Sequence, residues 1–292
     1  MFEFREITDK SGYIESPAKI GVYRAEGNDV YLIDSGGDKD AGRKTRKILE
    51  EKGWRLRGIL NTHSNADHIG GNRYLQQQTG CKVFSGGIEA AFTAAPILEP
   101  SFLYGGYPFR ELRHKFLLAD GSTVSDFSDP DFPRELTILP LKGHFFDMVG
   151  FRTPDGVVYL ADCLSSKETL EKYKIGFIYD VAAYLETLEK VAALEAKMFV
   201  PAHAPATEEI APLARYNADK VREIAETILS LCREPIAFEE LLKRLFDDLS
   251  LTMTFEQYVL VGSTVRSYLA WLKDLGSLAA EFSENRMLWR RV

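Results

Sequence analysis

The chain has 292 residues, of which 45% are hydrophobic and 27% are charged, and 43 acidic against 36 basic residues give a formal net charge of −7. This composition is typical of a globular protein with a large core, and the acidic balance argues against non-specific binding to nucleic acid. No apolar run reaches the length of a membrane span, and the first residues lack a signal-peptide pattern. Three widely spaced cysteines form no disulfide pattern, so we expect a cytoplasmic protein.

The first two hundred residues alternate between strand-like and helix-like patterns. Short β-branched runs bounded by turn residues indicate strands, and a 3.6-residue apolar period indicates helices. The elements predicted here, in chain order, are strands at 20–23 and 30–33, a helix at 40–52, a strand at 56–60, a helix at 72–78, strands at 81–84, 136–141 and 157–160, a helix at 181–196 and a strand at 198–200. Several strands end at a polar cluster, and α/β proteins usually place their chemistry at such strand ends.

Beyond about residue 208 the pattern is mostly helical. Helices are predicted at 208–233, 238–245 and 255–274, and two short strands at 278–282 and 287–289 follow them. Helices with a terminal hairpin resemble a winged-helix arrangement, but residues 216–292 carry 10 basic and 12 acidic residues, whereas a DNA-reading domain carries a basic face. We therefore divide the chain into domains at 1–210 and 211–292, and expect the second to serve in packing or dimerisation.

Four of the five histidines follow strand-like runs, and two aspartates lie beside them. These residues are His63, Asp67 and His68 in the segment NTHSNADHIGGN, then His144, Asp162 and His203. Imidazole nitrogens and carboxylate oxygens together suit zinc, iron and manganese. The residue types and their positions therefore predict a metal site. The fifth histidine, His114, has no such context and is predicted to face solvent.

Over residues 18–210 these motifs resemble the metallo-β-lactamase superfamily. Residues 63–68 resemble the family's H-x-H-x-D-H motif, and Asp34 in YLIDSGG resembles its early D-x-G element, which usually supports a metal ligand from behind. The resemblance implies an α+β fold: an αββα four-layer sandwich with one or two metal ions at one edge, followed here by a small, mostly helical C-terminal domain. The metal ligands that it implies are His63, Asn65, Asp67, His68, His144, Asp162 and His203.

Asn65 departs from the family pattern, because a second histidine usually stands at that position. By the resemblance, a first pocket consists of His63, residue 65 and His144. A second pocket consists of Asp67, His68 and His203, and Asp162 bridges the two. An amide oxygen is a weak, neutral ligand, so we expect the second pocket to fill first. The alternative is that Asn65 has silenced the site and left a metal-binding protein without activity.

The resemblance implies a metal-dependent hydrolase in which a metal-bound hydroxide attacks a small-molecule ester, thioester or lactone. Zinc is the expected metal, with iron or manganese as alternatives, and Asp67 is expected to orient the water as a catalytic residue. The second candidate is a phosphodiesterase or nuclease of the same superfamily, against which the acidic charge argues. A redox role with iron ranks lower, because the sequence shows no flavin or rubredoxin module.

Two aromatic groups are candidates for a substrate pocket. Phe145 and Phe146 follow His144, and either line a pocket or pack beneath their loop. The segment 96–135 has the pattern of an inserted loop, and its Tyr104 and Tyr107 serve either substrate binding or a homodimer contact. The expected partners are therefore a small-molecule substrate and a second copy of the chain, with neither nucleic acid nor a membrane.

Overall fold

The computed structural model describes residues 2–292, whose strands form two large sheets and a small third one. The strands, in chain order, are β1 (Glu3–Glu6), β2 (Ser11–Glu15), β3 (Ile20–Arg24), β4 (Asp29–Ile33), β5 (Arg55–Leu60), β6 (Lys82–Phe84), β7 (Thr137–Pro140), β8 (Val149–Arg152), β9 (Val157–Ala161), β10 (Met198–Pro201), β11 (Ile236–Ala237), β12 (Leu278–Ser283) and β13 (Arg286–Arg291). The helices are α1 (Lys39–Glu51), α2 (Ala66–Ile69), α3 (Asn72–Thr79), α4 (Gly87–Ala94), α5 (Leu98–Tyr104), α6 (Lys167–Tyr173), α7 (Val181–Ala192), α8 (Ala211–Leu231), α9 (Phe238–Asp248) and α10 (Phe255–Asp274).

The first sheet has the order β1-β2-β3-β4-β5-β6 and carries helices on its outer face. It is antiparallel from β1 to β4 and parallel from β4 to β6, because α1 and then α3 cross over between the parallel strands. Asp38 fixes the start of α1, where its side chain accepts a hydrogen bond from the Ala41 amide. Leu49 of α1 and Leu75 of α3 pack on Leu32 and its neighbours in the sheet.

The second sheet has the order β10-β9-β8-β7 and packs face to face on the first. Its inner face contributes Phe151 and Tyr159 to an apolar layer that includes Phe84 of the first sheet. Its outer face, with Val158 and Phe199, packs against α7 and α8. The layers therefore run helix, sheet, sheet, helix, which confirms the predicted α+β class and αββα sandwich.

The C-terminal part contains the predicted helices α8, α9 and α10 and the predicted terminal strands β12 and β13. The two-residue strand β11, which lies between α8 and α9, was not predicted; it pairs with β13 to give a sheet of order β11-β13-β12. The C-terminal part packs tightly on the sandwich, since Thr264 of α10 accepts a hydrogen bond from the Ile178 amide and Ser267 donates one to the Tyr179 carbonyl. One apolar cluster runs from β9 to α10. The domain division at 210/211 stays a prediction. Within residues 2–292, each helix falls short of the length or the apolar character that a bilayer span requires.

Several elements differ from the predictions for local reasons. The edge strand β1 was not predicted because its sequence, EFRE, is mostly exposed and charged. Helix α8 begins at Ala211 rather than 208, because Pro212 is tolerated only in the first turn of a helix. The prediction for His114 is wrong: it is half-buried, and its Nε2 lies 3.0 Å from Glu256 Oε1 on α10. The segment 96–135 is thus tied to the C-terminal helices.

Tyr159 joins the two sheets. Its ring is buried, and its hydroxyl lies 2.7 Å from the Gly12 carbonyl and 3.0 Å from the Val22 carbonyl of the first sheet. Gly21 makes room for it, because a Cβ atom at this residue would lie 2.6 Å from the Tyr159 ring. The hydroxyl is therefore a polar link through an otherwise apolar interface.

We predict that Tyr159→Phe lowers the free energy of unfolding by about 1–2 kcal/mol, because the buried carbonyls lose their link to the second sheet. Urea unfolding at pH 7 measures the change. Tyr31→Phe is the matched control: the Tyr31 hydroxyl lies 3.3 Å from the Asp131 carbonyl at the surface, and its loss is expected to cost less than about 0.5 kcal/mol. Equal losses in the two variants would contradict the role given to Tyr159.

Candidate metal centre

The residues predicted to bind metal meet at one edge of the sandwich. Asp34 follows β4, His63 follows β5, His144 follows β7, Asp162 follows β9 and His203 follows β10. Within each sheet these strands point the same way, so their carboxyl ends lie together. The short helix α2, which begins directly after Asn65, adds Asp67 and His68.

The second pocket is closely assembled. Asp67, His68, Asp162 and His203 each present one nitrogen or oxygen atom, and these atoms lie within 4.8 Å of one another. His68 Nε2 is 3.1 Å from Asp162 Oδ1. His203 Nε2 is 3.1 Å from Asp67 Oδ2 and 3.2 Å from Asp162 Oδ2. Two imidazoles and two carboxylates thus converge on one point.

The first pocket shares Asp162 with the second. His63, His144 and Asp162 form another group whose ligand atoms lie within 4.8 Å of one another. His144 Nε2 is 3.8 Å from Asp162 Oδ2 and 3.2 Å from Asn65 Oδ1. The amide oxygen of Asn65 therefore faces the pocket, and Asp162 occupies the position of a bridging carboxylate. Metal binding by these seven residues stays a prediction.

Several atoms at the centre lack a hydrogen-bond partner within the described residues. They are His63 Nε2, together with His68 Nε2 and Asp162 Oδ1, which lie 3.1 Å apart without the angles of a hydrogen bond; all three are buried. Buried polar atoms nearly always have a partner, and each one left without costs stability. Imidazole nitrogens beside carboxylate oxygens are the ligand set of zinc and similar divalent cations. The residues at this edge therefore fit a divalent metal.

The protonation equilibria show how strongly the groups interact. Burial opposes the charge of His203, but the neighbouring Asp162 and Asp67 carboxylates together outweigh it and raise the pKa of this imidazole to about 10. The same competition raises the pKa of His68 well above its usual value. Burial lowers the pKa of His63 and of His144, so these imidazoles stay neutral. A cation at the second pocket would displace protons, and its affinity would fall as the pH falls.

Asp34 lies behind the second pocket and does not face it. Its Oδ1 accepts a hydrogen bond from the Thr62 amide at 2.8 Å, and its Oδ2 accepts one from Thr62 Oγ1 at 2.7 Å. The same Oδ2 lies 2.8 Å from His68 Nδ1. The backbone of Asp34 is left-handed, with φ of 62°, a conformation that aspartate tolerates better than most residues. The structure thus places Asp34 where the resemblance predicted a supporting residue.

Two further histidines of the cluster, His63 and His203, are oriented in the same manner. His63 Nδ1 lies 3.0 Å from Thr62 Oγ1, and His203 Nδ1 lies 3.0 Å from the Pro17 carbonyl. Because the Thr62 hydroxyl donates to Asp34, it accepts from His63 Nδ1. The Nδ1 side of the His63 and His203 rings is therefore held by protein, and their Nε2 side faces the pockets.

The two pockets open onto a cavity of about 880 Å³. His144, Asp162 and His203 form one end of it, and its walls come from the loop after α6 and from α10. Its wall residues include Ser165, Ile175, Phe177, Gln257, Leu260 and Val261. Asp67 faces a smaller cavity of about 340 Å³ beside Pro17 and Asp38. The cluster is thus reached from two sides.

The aromatic residues proposed for the pocket lie elsewhere. Phe145 is fully buried and packs edge-on against Phe92. Of the two alternatives for this residue, it therefore packs beneath its loop and does not line the pocket. Phe146 stacks on Tyr179 at a ring distance of 4.0 Å. None of the four predicted residues, Phe145, Phe146, Tyr104 and Tyr107, lines the cavity at the cluster. The aromatic side chain that does so beside His144 is Phe177, at a ring distance of 5.4 Å, and no sequence motif marks it.

Two buried glutamates behind the ligand loop were also missed. Glu89 accepts hydrogen bonds from the Ser64 amide, the Ser64 hydroxyl and the Asp147 amide, and burial raises its pKa to about 7. Glu99 accepts a hydrogen bond from the Asn65 side chain, and burial raises its pKa well above the usual value. Both lie in short helices whose pattern predicts exposed glutamates, so the sequence gives no signal for them.

Comparison with characterised proteins gives partial matches. A hydroxyacylglutathione hydrolase from Methylococcus capsulatus is 40% identical over 65 residues, which cover 20% of this chain and 25% of that protein. Another from Methylobacillus flagellatus is 28% identical over 151 residues, half of each chain. A beta-lactamase-like protein 2 homolog from Drosophila melanogaster is 22% identical over 200 residues, 63% of this chain and 61% of its own. The chain thus spans between a quarter and three fifths of the curated relatives that it matches.

Solved structures share the fold at low sequence identity. A metallo-beta-lactamase family protein from Thermus thermophilus has a TM-score of 0.70 at 17% identity, with 94% of each chain covered. A beta-lactamase domain protein from Burkholderia ambifaria has a TM-score of 0.70 at 15% identity, with 99% of this chain and 94% of its own covered. A metallo-beta-lactamase from Pseudomonas aeruginosa, in its mono-zinc form, has a TM-score of 0.58 at 18% identity, with 76% of this chain and 96% of its own covered.

The family assignment rests on the sequence itself. The family model described as the metallo-beta-lactamase superfamily matches residues 15–203, a segment that begins in β2 and ends at His203. It includes every residue of both pockets, and the resemblance seen in the motifs is thereby confirmed. The chain belongs to the metallo-beta-lactamase superfamily.

Proposed function

We propose that the chain is a metal-dependent hydrolase that acts on a small-molecule ester, thioester or lactone, with zinc as its metal. One observation carries the proposal: unpartnered imidazole and carboxylate atoms converge at the end of a cavity of about 880 Å³. Membership of the superfamily and the relatives named hydroxyacylglutathione hydrolase support hydrolysis. Four imidazoles against two carboxylates support zinc over harder cations.

The shape and charge of the cavity support a small substrate. Its volume lies within the range of about 300–1,000 Å³ that is usual for small-molecule sites. Phe177, Leu260 and Val261 give it an apolar wall, whereas Ser165 and Gln257 give it polar contacts. The net charge of −7 disfavours a nucleic acid. We therefore place the nuclease hypothesis second.

The side chains of the cluster have distinct roles in the proposed reaction. A divalent metal, when bound, acidifies water and polarises a carbonyl oxygen. Asp162, whose side chain is 11% exposed, contributes negative charge to both pockets. The Asp67 side chain is 42% exposed and is thus much the more exposed of the two carboxylates. We assign to its Oδ2 the role of orienting the attacking water and holding its proton. The walls of the cavity bind the substrate and exclude bulk water.

Asp34 fixes the tautomer of His68. Its carboxylate accepts a hydrogen bond from His68 Nδ1, so in the neutral imidazole the lone pair of Nε2 is directed at the second pocket. An asparagine at this position can turn its NH₂ group towards Nδ1, which would place the imidazole proton on Nε2. The orientation of the ligand therefore depends on a residue outside the pocket.

We predict that Asp34→Asn weakens zinc binding at the second pocket by about 10–100-fold, as loss of a supporting partner usually does. Competition with a chromogenic chelator measures the dissociation constant. Asp155→Asn is the matched control, since Asp155 also accepts a hydroxyl hydrogen bond, from Ser11 at 2.9 Å, but lies in the turn between β8 and β9. Unchanged affinity in Asp34→Asn, or an equal loss in Asp155→Asn, would contradict this role.

We predict that the zinc-loaded protein hydrolyses members of a panel of carboxylic esters, thioesters and lactones. His68→Ala should reduce the rate by at least about 100-fold, because the second pocket loses a ligand, whereas His114→Ala, a histidine outside the cluster, should change it less than about threefold. Initial rates at about pH 7.5 measure both. Hydrolysis of bis(p-nitrophenyl) phosphate alone would favour the phosphodiesterase hypothesis, and a protein that takes up no metal would overturn the proposal.

The compartment and the assembly state are also proposals. Cys81, Cys163 and Cys232 are buried and unpaired, which supports a reducing compartment such as the cytoplasm. A homodimer remains an expectation from the aromatic residues of the segment 96–135.

A further inference from the structure

The side chain of Asn65 spans two groups at the edge of the first pocket. Its Oδ1 lies 3.2 Å from His144 Nε2, and its Nδ2 donates a hydrogen bond of 2.7 Å to Glu99 Oε1. The two ends of an amide have nearly the same shape, so hydrogen bonding decides which end points where. Because Glu99 offers an oxygen acceptor, the NH₂ end of Asn65 turns to it. The oxygen end is then left to face the pocket.

Glu99 occupies an unusual place for a carboxyl group. It lies in the first turn of α5 and is only 3% exposed. Within residues 2–292, no lysine, arginine or histidine nitrogen lies within 4.0 Å of its carboxyl oxygens. Burial of a carboxyl group without a basic partner is costly. The side-chain contact that it makes in return is the hydrogen bond from Asn65.

We propose that Glu99 is a positioning residue that makes the Asn65 amide a ligand of the first pocket. The pair takes the place of the histidine that the family usually has there. This inference rests on the metal-binding part of the proposed function. Without Glu99 the amide is free to flip, and its NH₂ end would then repel a cation. With Glu99, the hydrogen bond at Nδ2 also draws electron density towards Oδ1, which strengthens the oxygen as a ligand.

Under this proposal, asparagine at position 65 is a working ligand and not the sign of a decayed site. A decayed site would leave the amide without a defined orientation, whereas here a buried side chain from another helix holds its oxygen towards His144. The first pocket is then a weaker but working site, consisting of two imidazoles, an oriented amide oxygen and the shared Asp162 carboxylate. Two zinc ions of unequal affinity are the expected content of the protein.

Zinc titration of the metal-free full chain, with chelator competition, tests the proposal. The wild-type protein should bind two equivalents. In Glu99→Leu, the dissociation constant of the weaker site should rise by about 10–100-fold, and that of the tighter site should change less than about threefold. Glu99→Gln retains an acceptor oxygen and should restore the weaker site to within about fivefold of wild type. The cobalt(II) absorption spectrum of the second equivalent should change in Glu99→Leu and recover in Glu99→Gln.

Glu89→Leu is the matched control. Glu89 is another buried glutamate that holds the same loop, through Ser64, but its hydrogen bonds go to Ser64 and Asp147 and not to Asn65. The Glu89→Leu variant should have a lower melting temperature in the metal-free state, but its zinc affinity at the weaker site should not fall selectively. Equal selective losses in Glu89→Leu and Glu99→Leu would assign the effect to general loosening of the loop and overturn the proposal. If Glu99→Leu fails to fold, Glu99→Met supplies an unbranched apolar side chain of similar length.

A double-mutant cycle isolates the pair. In an Asn65→Ala background no amide remains to be oriented, so Glu99→Leu should cause no further loss at the weaker site. A full additional loss there would contradict the proposal. The failures are distinguishable. A wild-type protein that binds no zinc overturns the proposed function. A wild-type protein that binds only one equivalent of zinc overturns this inference alone. So does a wild-type protein that binds two equivalents with affinities that Glu99→Leu leaves unchanged.

Discussion

One buried carboxylate, that of Asp34, holds together the edge of the sandwich at which the predicted metal ligands lie. Its two oxygens accept three hydrogen bonds from two separate segments of the chain. Two come from Thr62, after β5, and one comes from His68 in α2. The turn that carries Asp34 meets the start of α3 backbone to backbone, and a Cβ atom at Gly70 or Gly71 would collide with this turn. Small residues and one charge thereby fix the distance between the end of β4 and the ligand loop, on which the positions of His63 and His68 depend.

The fold and the metal are coupled through the same contacts. The sandwich buries His63 Nε2 without a hydrogen-bond partner, a cost that a bound cation would remove. The Asp162 carboxylate lies between both pockets, so each cation would screen its repulsion with Asp67. In the metal-free protein, protons on His68 and His203 offset the negative charges of Asp162 and Asp67, and a bound cation would displace these protons and take over that role. Every predicted ligand comes from a loop or from the short helix α2, while the strands before them supply the rigidity.

The parts that sequence reasoning could predict are those with local signals. The spacing of His63, Asp67 and His68, and the strand ends before His144 and His203, are visible in the chain, and α10 has the predicted bounds. Glu99 is 34 residues from Asn65, and only the packing of α5 against the ligand loop brings them together. A helical pattern alone would place such a glutamate in solvent. Likewise, no local pattern indicates that Phe177 rather than Phe145 lines the cavity, because this depends on which loop covers the site.

The predicted metal ligands and part of the cavity wall come from different parts of the chain. The segment that matches the superfamily ends at His203 and contains all the predicted ligands together with Ser165, Ile175 and Phe177 of the wall, whereas Leu260 and Val261 of the wall belong to α10, beyond that segment. Because α10 is fixed to the loop after α6 by the Thr264 and Ser267 hydrogen bonds, the wall is a rigid part of the fold. The two solved structures with TM-scores of 0.70 cover at least 94% of this chain, which indicates that this C-terminal part recurs with the sandwich. A change of residues on α10 would therefore alter the shape of the cavity while every predicted metal ligand stays in place.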